Sequence, residues 1–320
     1  MSSYDPLNPA VTCDPYPYYT QLRNEEPVTW IPSLQGFAVA RWEDVTKCLT
    51  DPKIYSSSRF WPALLGEYDP VPEGPPMISM DPPGHVPIRK LSGKIFVPSR
   101  VNALQDKVNR IANALIDDII ARHGMEGEFD YVHEFSSLFP ASVISEVLGV
   151  DVERRVEFKH WVDDLLSAGN RASFPPERLA QIERSSHDIR AYFEEIYDRR
   201  KAQPGDDLLS GFIHAEINGE TLTRIEVLNL GILLLLGGVE TTANLLAITC
   251  AQFRKYPQVV EAIRADPGKT GSLIEEVLRY DSPVQMLFRH TTQDTILAGT
   301  RIPEGALVMP LLGSANRDPA

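Results

Sequence analysis

Cysteine is scarce in this chain: Cys13, Cys48 and Cys250 are the only three in 320 residues, an odd number spaced far apart. That excludes a disulfide framework and a thiol-rich zinc site. Cys48 lies at helical spacing from Val45 and Cys250 within an apolar helical stretch, so both read as small core residues. Cys13, between Thr12 and Asp14, is open between a core and a surface reading. Positive charge is also short: 31 Lys and Arg against 44 Asp and Glu leave a net charge of −13, a poor basis for generic binding of nucleic acid or anionic membrane. No uninterrupted apolar run reaches the ~18–20 residues of a membrane span, and the start (Met1-Ser2-Ser3-Tyr4-Asp5) carries no basic-then-apolar leader. The expectation is a soluble, cytoplasmic protein with no membrane anchor and no nucleic-acid partner. Phosphate loops, Gly-x-Gly-x-x-Gly turns after a strand and Gly-x-Ser-x-Gly elbows are all missing. The seven histidines form no His-x-x-x-His pair and no carboxylate-rich cluster, so no protein-held metal centre is expected.

What is present is mostly helix. A short helix is expected over 14–24, a strand pair over 28–31 and 37–40 joined by a turn through Leu34-Gln35-Gly36, and a helix over 42–49. Residues 51–84, rich in Pro and Gly and without a period, read as a long loop. Helical periods then run over 86–96, 99–124, 135–148, 151–167, 176–202, 207–215, 223–252, 257–265 and 271–280. Short strands follow at 286–288, 295–297 and 306–309, with a turn at 301–305. The fold class is mainly α: a large helical body with one long central helix, and a small mixed sheet region built from both ends of the chain.

The most informative stretch lies inside that central helix: Leu233-Leu234-Leu235-Leu236-Gly237-Gly238-Val239-Glu240-Thr241-Thr242. Each Gly in a helix interior costs roughly 1 kcal/mol relative to Ala. Two together, followed by a carboxylate and two hydroxyls, conflict with the surrounding pattern, and such conflicts gather at functional sites. Bare backbone at Gly237 and Gly238 lets something flat lie against the helix, with Glu240 and Thr241 beside it. The plainer alternative is a helix end followed by a Thr-capped new helix. Glu276 and Arg279 stand three apart on a helix and face one another; Leu273, Ile274, Val277 and Leu278 make that helix apolar, so the pair is expected to be partly buried. His85 and Arg89 project the same way from a helix start, where the backbone amides also favour anions. Arg289, in Phe288-Arg289-His290, ends a strand and alone reads as a surface charge.

In this order and spacing the pieces resemble the cytochrome P-450 family, the haem-thiolate monooxygenases, over nearly the whole chain and in the style of soluble bacterial members. Gly237-Gly238-Val239-Glu240-Thr241-Thr242 is similar to the family's oxygen-activation motif, Glu276-Val277-Leu278-Arg279 to its Glu-x-x-Arg motif, and His85-Val86-Pro87-Ile88-Arg89 to its propionate-holding His-x-x-x-Arg. Arg289 matches the strand-side propionate Arg, and Ile302-Pro303-Glu304-Gly305 and Ala315-Asn316-Arg317-Asp318-Pro319 match the segments that follow.

The resemblance implies a single cytochrome P-450 domain over 1–320 and haem b (iron protoporphyrin IX). His85, Arg89, Arg289, Leu233, Gly237, Gly238 and Thr241 would contact the cofactor. Thr241 and Glu240 would form the proton relay, and Glu276 and Arg279 a structural ion pair. The reaction implied is hydroxylation or epoxidation of an apolar small molecule, of the kind met in secondary metabolism. Trp61, Leu234, Val284, Leu287 and Phe288 would face the substrate. Electrons would come from NAD(P)H through a reductase and a ferredoxin or flavodoxin, docking on Arg89, Lys90, Lys94 and Arg100; a monomer is expected. The family's iron-ligating Cys, in a Phe-x-x-Gly-x-x-x-Cys-x-Gly loop, would lie beyond Ala320, since none of the three cysteines has those neighbours. The abrupt stop favours a truncated copy of a family member over a catalytically incompetent fragment or a non-enzymatic helical binding protein.

Overall fold

The computed structural model describes residues 4–217 and 219–320; the side chains of Pro98, Ser99, Arg100 and Ile217 lie outside the described set. Two compact units emerge from the packing. One runs up to Phe60 and resumes over Ile248–Ala320, and the other is Trp61–Ala247.

The first unit holds the sheet, and it is drawn from both ends of the chain as the pattern predicts. Five strands lie in the order Val28–Ile31, Gly36–Val39, Leu307–Pro310, Arg289–Thr291, Tyr55–Ser56. The first two form the expected antiparallel hairpin, with Val28 opposite Val39. Gly36–Val39 then runs parallel to Leu307–Pro310, and the remaining pairs are antiparallel. The strand expected at 286–288 begins instead at Arg289; only the Leu287 amide, donating to the Pro310 carbonyl at 3.2 Å, extends the pairing backwards. The turn expected at 301–305 is present from Pro303 on, with the Ala306 amide donating to the Pro303 carbonyl at 3.3 Å, while Arg301 and Ile302 belong to an additional strand. Thr295–Leu297 pairs with Thr300–Ile302 through a two-residue turn, Ala298-Gly299, whose φ angles of 46° and 80° are those of a hairpin. Alanine at the first turn position gives no sequence signal, so the strand after it was unforeseen. One core cluster, around Tyr19, Leu22, Ile31, Met309 and Leu311, packs the N-terminal helix Tyr16–Glu25 on this sheet.

The second unit is helical. Pro176–Ala202 has the predicted bounds, but the 99–124 period breaks at Leu104 into Pro98–Ala103 and Gln105–His123. The loop expected over 51–84 contains the strand Tyr55–Ser56, a helix Phe60–Leu65 and two 3₁₀ turns, elements too short to show a period. A small hairpin, Glu216–Ile217 with Glu220–Thr221, also escaped the pattern.

Two helices, Arg155–Ser167 and Pro176–Ala202, fold back on one another around a buried carboxylate. Asp164 accepts from Arg178, from Ser185 Oγ at 2.6 Å and from Gln181 Nε2 at 3.3 Å, while Arg178 Nη2 donates to Ser167 Oγ at 2.9 Å. Phe158, Trp161 and Tyr192 close the same hairpin, and the Arg154 guanidinium lies 4.6 Å over the Tyr192 ring. Removing one partner of a buried charge leaves the other stranded, so Arg178→Leu is expected to destabilise the protein by about 3 kcal/mol in urea titration. A loss below about 1 kcal/mol would mean that Ser185 and Gln181 suffice for Asp164.

The long helix runs unbroken over Arg224–Lys255. The alternative of a helix end at the glycine pair is therefore wrong. By length and composition this helix could cross a membrane, contrary to the expectation that no segment qualifies. Val227, Leu228, Leu230, Ile232, Leu235 and Val239 are buried, so one face of the helix packs into the protein. Cys48 is buried as expected, but Cys250, on the last turns of the long helix, is exposed.

Candidate functional site

Helical spacing puts Leu233, Gly237 and Thr241 on one stripe of the long helix, and Leu234 with Gly238 on the next. The two glycines do different work. A Cβ placed on Gly238 would stand 3.2 Å from Ile144 Cγ1, so this glycine lets helix Leu138–Leu148 pack close. A Cβ on Gly237 would meet nothing within 4 Å. Gly237 is exposed and Leu233 half-buried, whereas Leu235 and Leu236 are fully inside. The notch anticipated from two glycines is thus a notch at one of them.

Thr241 Oγ1 donates to the Gly237 carbonyl at 2.6 Å, which ties the hydroxyl to the edge of the notch and leaves its lone pairs available. Glu240 is half-exposed and is held by two neighbours. Its Oε1 accepts from Asn244 Nδ2 at 3.3 Å, and its Oε2 lies 3.7 Å from Lys159 Nζ. Lys159, on helix Arg155–Ser167, is shared with Asp163 one turn along. Neither Lys159 nor Asn244 was found from the sequence. Asn244 sits at i+4 from Glu240 and was legible; Lys159, 81 positions away, was not.

His85 and Arg89 stand on helix His85–Gly93, with Pro87 tolerated in the first turn. His85 is half-buried and Arg89 exposed, and neither side chain has a hydrogen-bond or ion-pair partner among the described residues. Among the described residues many arginines are engaged; Arg122, Arg154, Arg178, Arg190 and Arg224, for example, hold carboxylates. An imidazole and a guanidinium one turn apart and both unengaged form a natural seat for an anion. Trp61 is almost wholly buried, and its backbone amide donates to Ser79 Oγ at 2.8 Å.

In the other unit, Arg289 opens its strand opposite Val308 and donates from Nη1 to the Phe288 carbonyl at 2.8 Å. Val284, Leu287 and Phe288 are half-buried, and the Phe288 ring lies 6.1 Å from that of Phe60. Glu276 and Arg279 do face each other, through two hydrogen bonds of 2.7 and 2.8 Å. Those hydrogen bonds from Arg279 hold the Glu276 carboxyl below its ordinary range, and Arg279 also donates to the Asn316 carbonyl at 3.0 Å. The pair is not partly buried as expected. Both side chains are about half exposed (48% and 58%), because this helix buries only its Val277 stripe. The Ala315–Pro319 segment does structural work that its sequence did not announce. Arg317 is clasped between the Tyr16 and Tyr280 rings, 3.3 and 3.8 Å from their centres, and Asp318 accepts from the Trp42 amide at 2.9 Å.

At Gly237 a flat group fits against the bare backbone, and on another helix His85 and Arg89 offer N–H donors to an acidic group. A metal held by protein does not fit: among the described residues no three His, Cys, Asp or Glu side chains converge. Cys48 cannot offer a thiolate, since burial pushes its thiol up to about 12.

Comparison with known proteins identifies the family. The family profile "Cytochrome P450" matches residues 29–267 and 270–320. Cytochrome P450 107B1 of Saccharopolyspora erythraea is 34% identical over 313 residues, covering 94% of this chain and 74% of that protein. The structure of cytochrome P450 CYP109Q5 from Chondromyces apiculatus superposes with a TM-score of 0.86 at 36% identity, over 97% of this chain and 76% of that one. CYP109E1 from Bacillus megaterium in complex with testosterone gives 0.82 at 32% identity, over 95% and 77%. What the fold and these matches define is a haem-using oxidoreductase of the oxygen-activating kind. The chain belongs to the cytochrome P450 family, whose members are monooxygenases carrying haem b. Bacterial members draw electrons from redox partners and act on apolar substrates.

Proposed function

We propose that this protein hydroxylates or epoxidises an apolar small molecule in the bacterial cytoplasm, as a monomer served by a ferredoxin or flavodoxin and its reductase. The observation that carries the reading is the open face at Gly237 with Thr241 and Glu240 on the same and the adjoining stripe. Haem b, when bound, supplies the chemistry that places one atom of O2 in the substrate and, with two electrons and two protons, releases the other as water.

The chain's own residues supply binding and protons. His85 and Arg89, with Arg289 from the strand side, would hold the haem propionates by charge-assisted bonds. Leu233, Gly237 and Gly238 would border the ring. Thr241 would hold a proton at Oγ1, alternating between the Gly237 carbonyl and the reacting side, while Glu240 would exchange protons with solvent. Asn244 and Lys159 orient that carboxylate. Glu276 and Arg279 would act structurally.

Trp61, Leu234, Val284, Leu287 and Phe288 would contact substrate. Its class is supported by their apolar character and by the steroid bound to the Bacillus megaterium neighbour, which favours a hydrophobic ring system. Arg89, Lys90 and Lys94 are exposed on one helix and its cap, and they form a basic surface on an acidic chain suited to an acidic electron carrier. Replacing Thr241 by Ala is expected to lower product formed per NAD(P)H consumed by roughly tenfold. The measurement is product yield against cofactor oxidation in the reconstituted system; unaltered coupling would remove Thr241 from the relay.

A further inference from the structure

Two bases and two acids line one open cavity of about 570 Å³ in the unit that holds the sheet: Lys255 and Arg317, Asp14 and Asp281. The cavity lies between the start of helix Tyr16–Glu25, the last turns of the long helix and the end of helix Thr270–Tyr280. None of the four charges forms an ion pair among the described residues, although both signs share one lining.

Neutral groups hold these charges instead. Arg317 is clasped between the Tyr16 and Tyr280 rings, and its Nε donates to the Tyr280 carbonyl at 2.5 Å. Nη1 and Nη2 have no acceptor among the described residues. A guanidinium fixed flat in this way presents its fork to a carboxylate with little further loss of rotamer freedom. Lys255 is exposed, with Nζ 5.4 Å over the Tyr256 ring. Asp281 accepts from the Tyr16 hydroxyl at 2.8 Å and from Gln252 Nε2 at 3.0 Å, and lone pairs remain on both of its oxygens. Asp14 is exposed and accepts only a long bond, 3.4 Å, from the Tyr16 amide. Gln252 adds a fifth group. Its Oε1 is out of contact with solvent and has no donor among the described residues, and a buried acceptor left so costs stability until something donates to it.

A simple anion would be attracted by Lys255 and Arg317 and repelled by Asp14 and Asp281, and a simple cation would meet the reverse. A molecule carrying both charges answers all four and has an N–H to give to Gln252. We infer that this cavity binds a zwitterionic amino-carboxylate, a free amino acid or a molecule ending in one. Its carboxylate lies toward Arg317 and Lys255, and its ammonium toward Asp14, Asp281 and Gln252 Oε1. None of these residues has a part in the function proposed above, so the two readings stand or fall separately.

Cys13 lines the same cavity and reports its occupancy; Cys250 is exposed outside it, and Cys48 is buried. The measurement is alkylation of the full chain by iodoacetamide, followed for each cysteine by peptide mass spectrometry. Saturating L-serine is expected to slow alkylation of Cys13 by roughly fivefold and to leave Cys250 unchanged. Acetate and ethylammonium, which carry one charge each, should protect only at much higher concentration. Lys255→Ala and Asp14→Asn each remove one charge at an exposed position, and each should raise the half-protecting concentration of L-serine by roughly threefold. Arg317 is left unaltered in this test because it ties Tyr16 to Tyr280. An unprotected Cys13, an equal slowing of Cys250, or protection by acetate or ethylammonium as good as by L-serine overturns the inference. So does either variant that binds L-serine as the wild type does.

Discussion

Gly238→Val is expected to destabilise the protein by about 2 kcal/mol, whereas Gly237→Ala, one residue earlier, stabilises it by up to about 1 kcal/mol. The opposite signs follow from what each added carbon would touch. At Gly238 the valine methyls drive into Ile144, whose Cγ1 already lies 3.2 Å from the first added atom, and the two helices must part. At Gly237 the added methyl meets nothing within 4 Å, and alanine removes the conformational entropy cost that glycine imposes in a helix. Urea titration of the three proteins reads both effects. The glycine at 237 is therefore not there for the fold. Gly237→Leu should keep the stability of the Ala variant and yet prevent saturable binding of hemin added to the apoprotein. Destabilisation at 237 comparable to that at 238 would reduce the notch to packing.

Hemin affinity should fall by roughly 10- to 100-fold when His85 or Arg89 is replaced by Ala, and further in the double variant. The magnitude is that of a hydrogen bond to a charged group. Neither side chain has another partner among the described residues, so removing it strands no other buried group and leaves stability nearly unchanged. Titration of apoprotein with hemin, followed by the Soret band, gives the affinity, and a urea midpoint controls for folding. The effect should weaken with added salt at Arg89, which is exposed, more than at the half-buried His85. Equal affinity in wild type and double variant would take the propionates away from this helix.

The parts of the molecule legible in the sequence are those where chemistry departs from local pattern. Two glycines and an acid inside a leucine run stood out because the helix propensity of the neighbours made them costly. The Pro176–Ala202 helix was legible because its period is long and its ends are marked by Pro and by three basic residues. What escaped depended on distance in sequence. Lys159 reaches Glu240 from another helix, and Arg171 reaches Glu67 from another turn; neither contact leaves a local trace. The exposure of Glu276 and Arg279 was misjudged because an apolar helix was assumed to be covered on most of its surface, whereas only the Val277 stripe is buried. Splitting a pair of glycines into one that packs and one that opens needed coordinates, since both have the same neighbours in sequence.

In the proposed function a porphyrin lies against Gly237. Its most direct test is the haem content of the protein expressed from its whole reading frame in cells supplied with iron and 5-aminolaevulinate. Wild type and Gly237→Ala should be purified red, with haem in proportion to chain, and Gly237→Leu should be purified folded and nearly colourless. A colourless wild type, or a Gly237→Leu variant with undiminished haem, would contradict it.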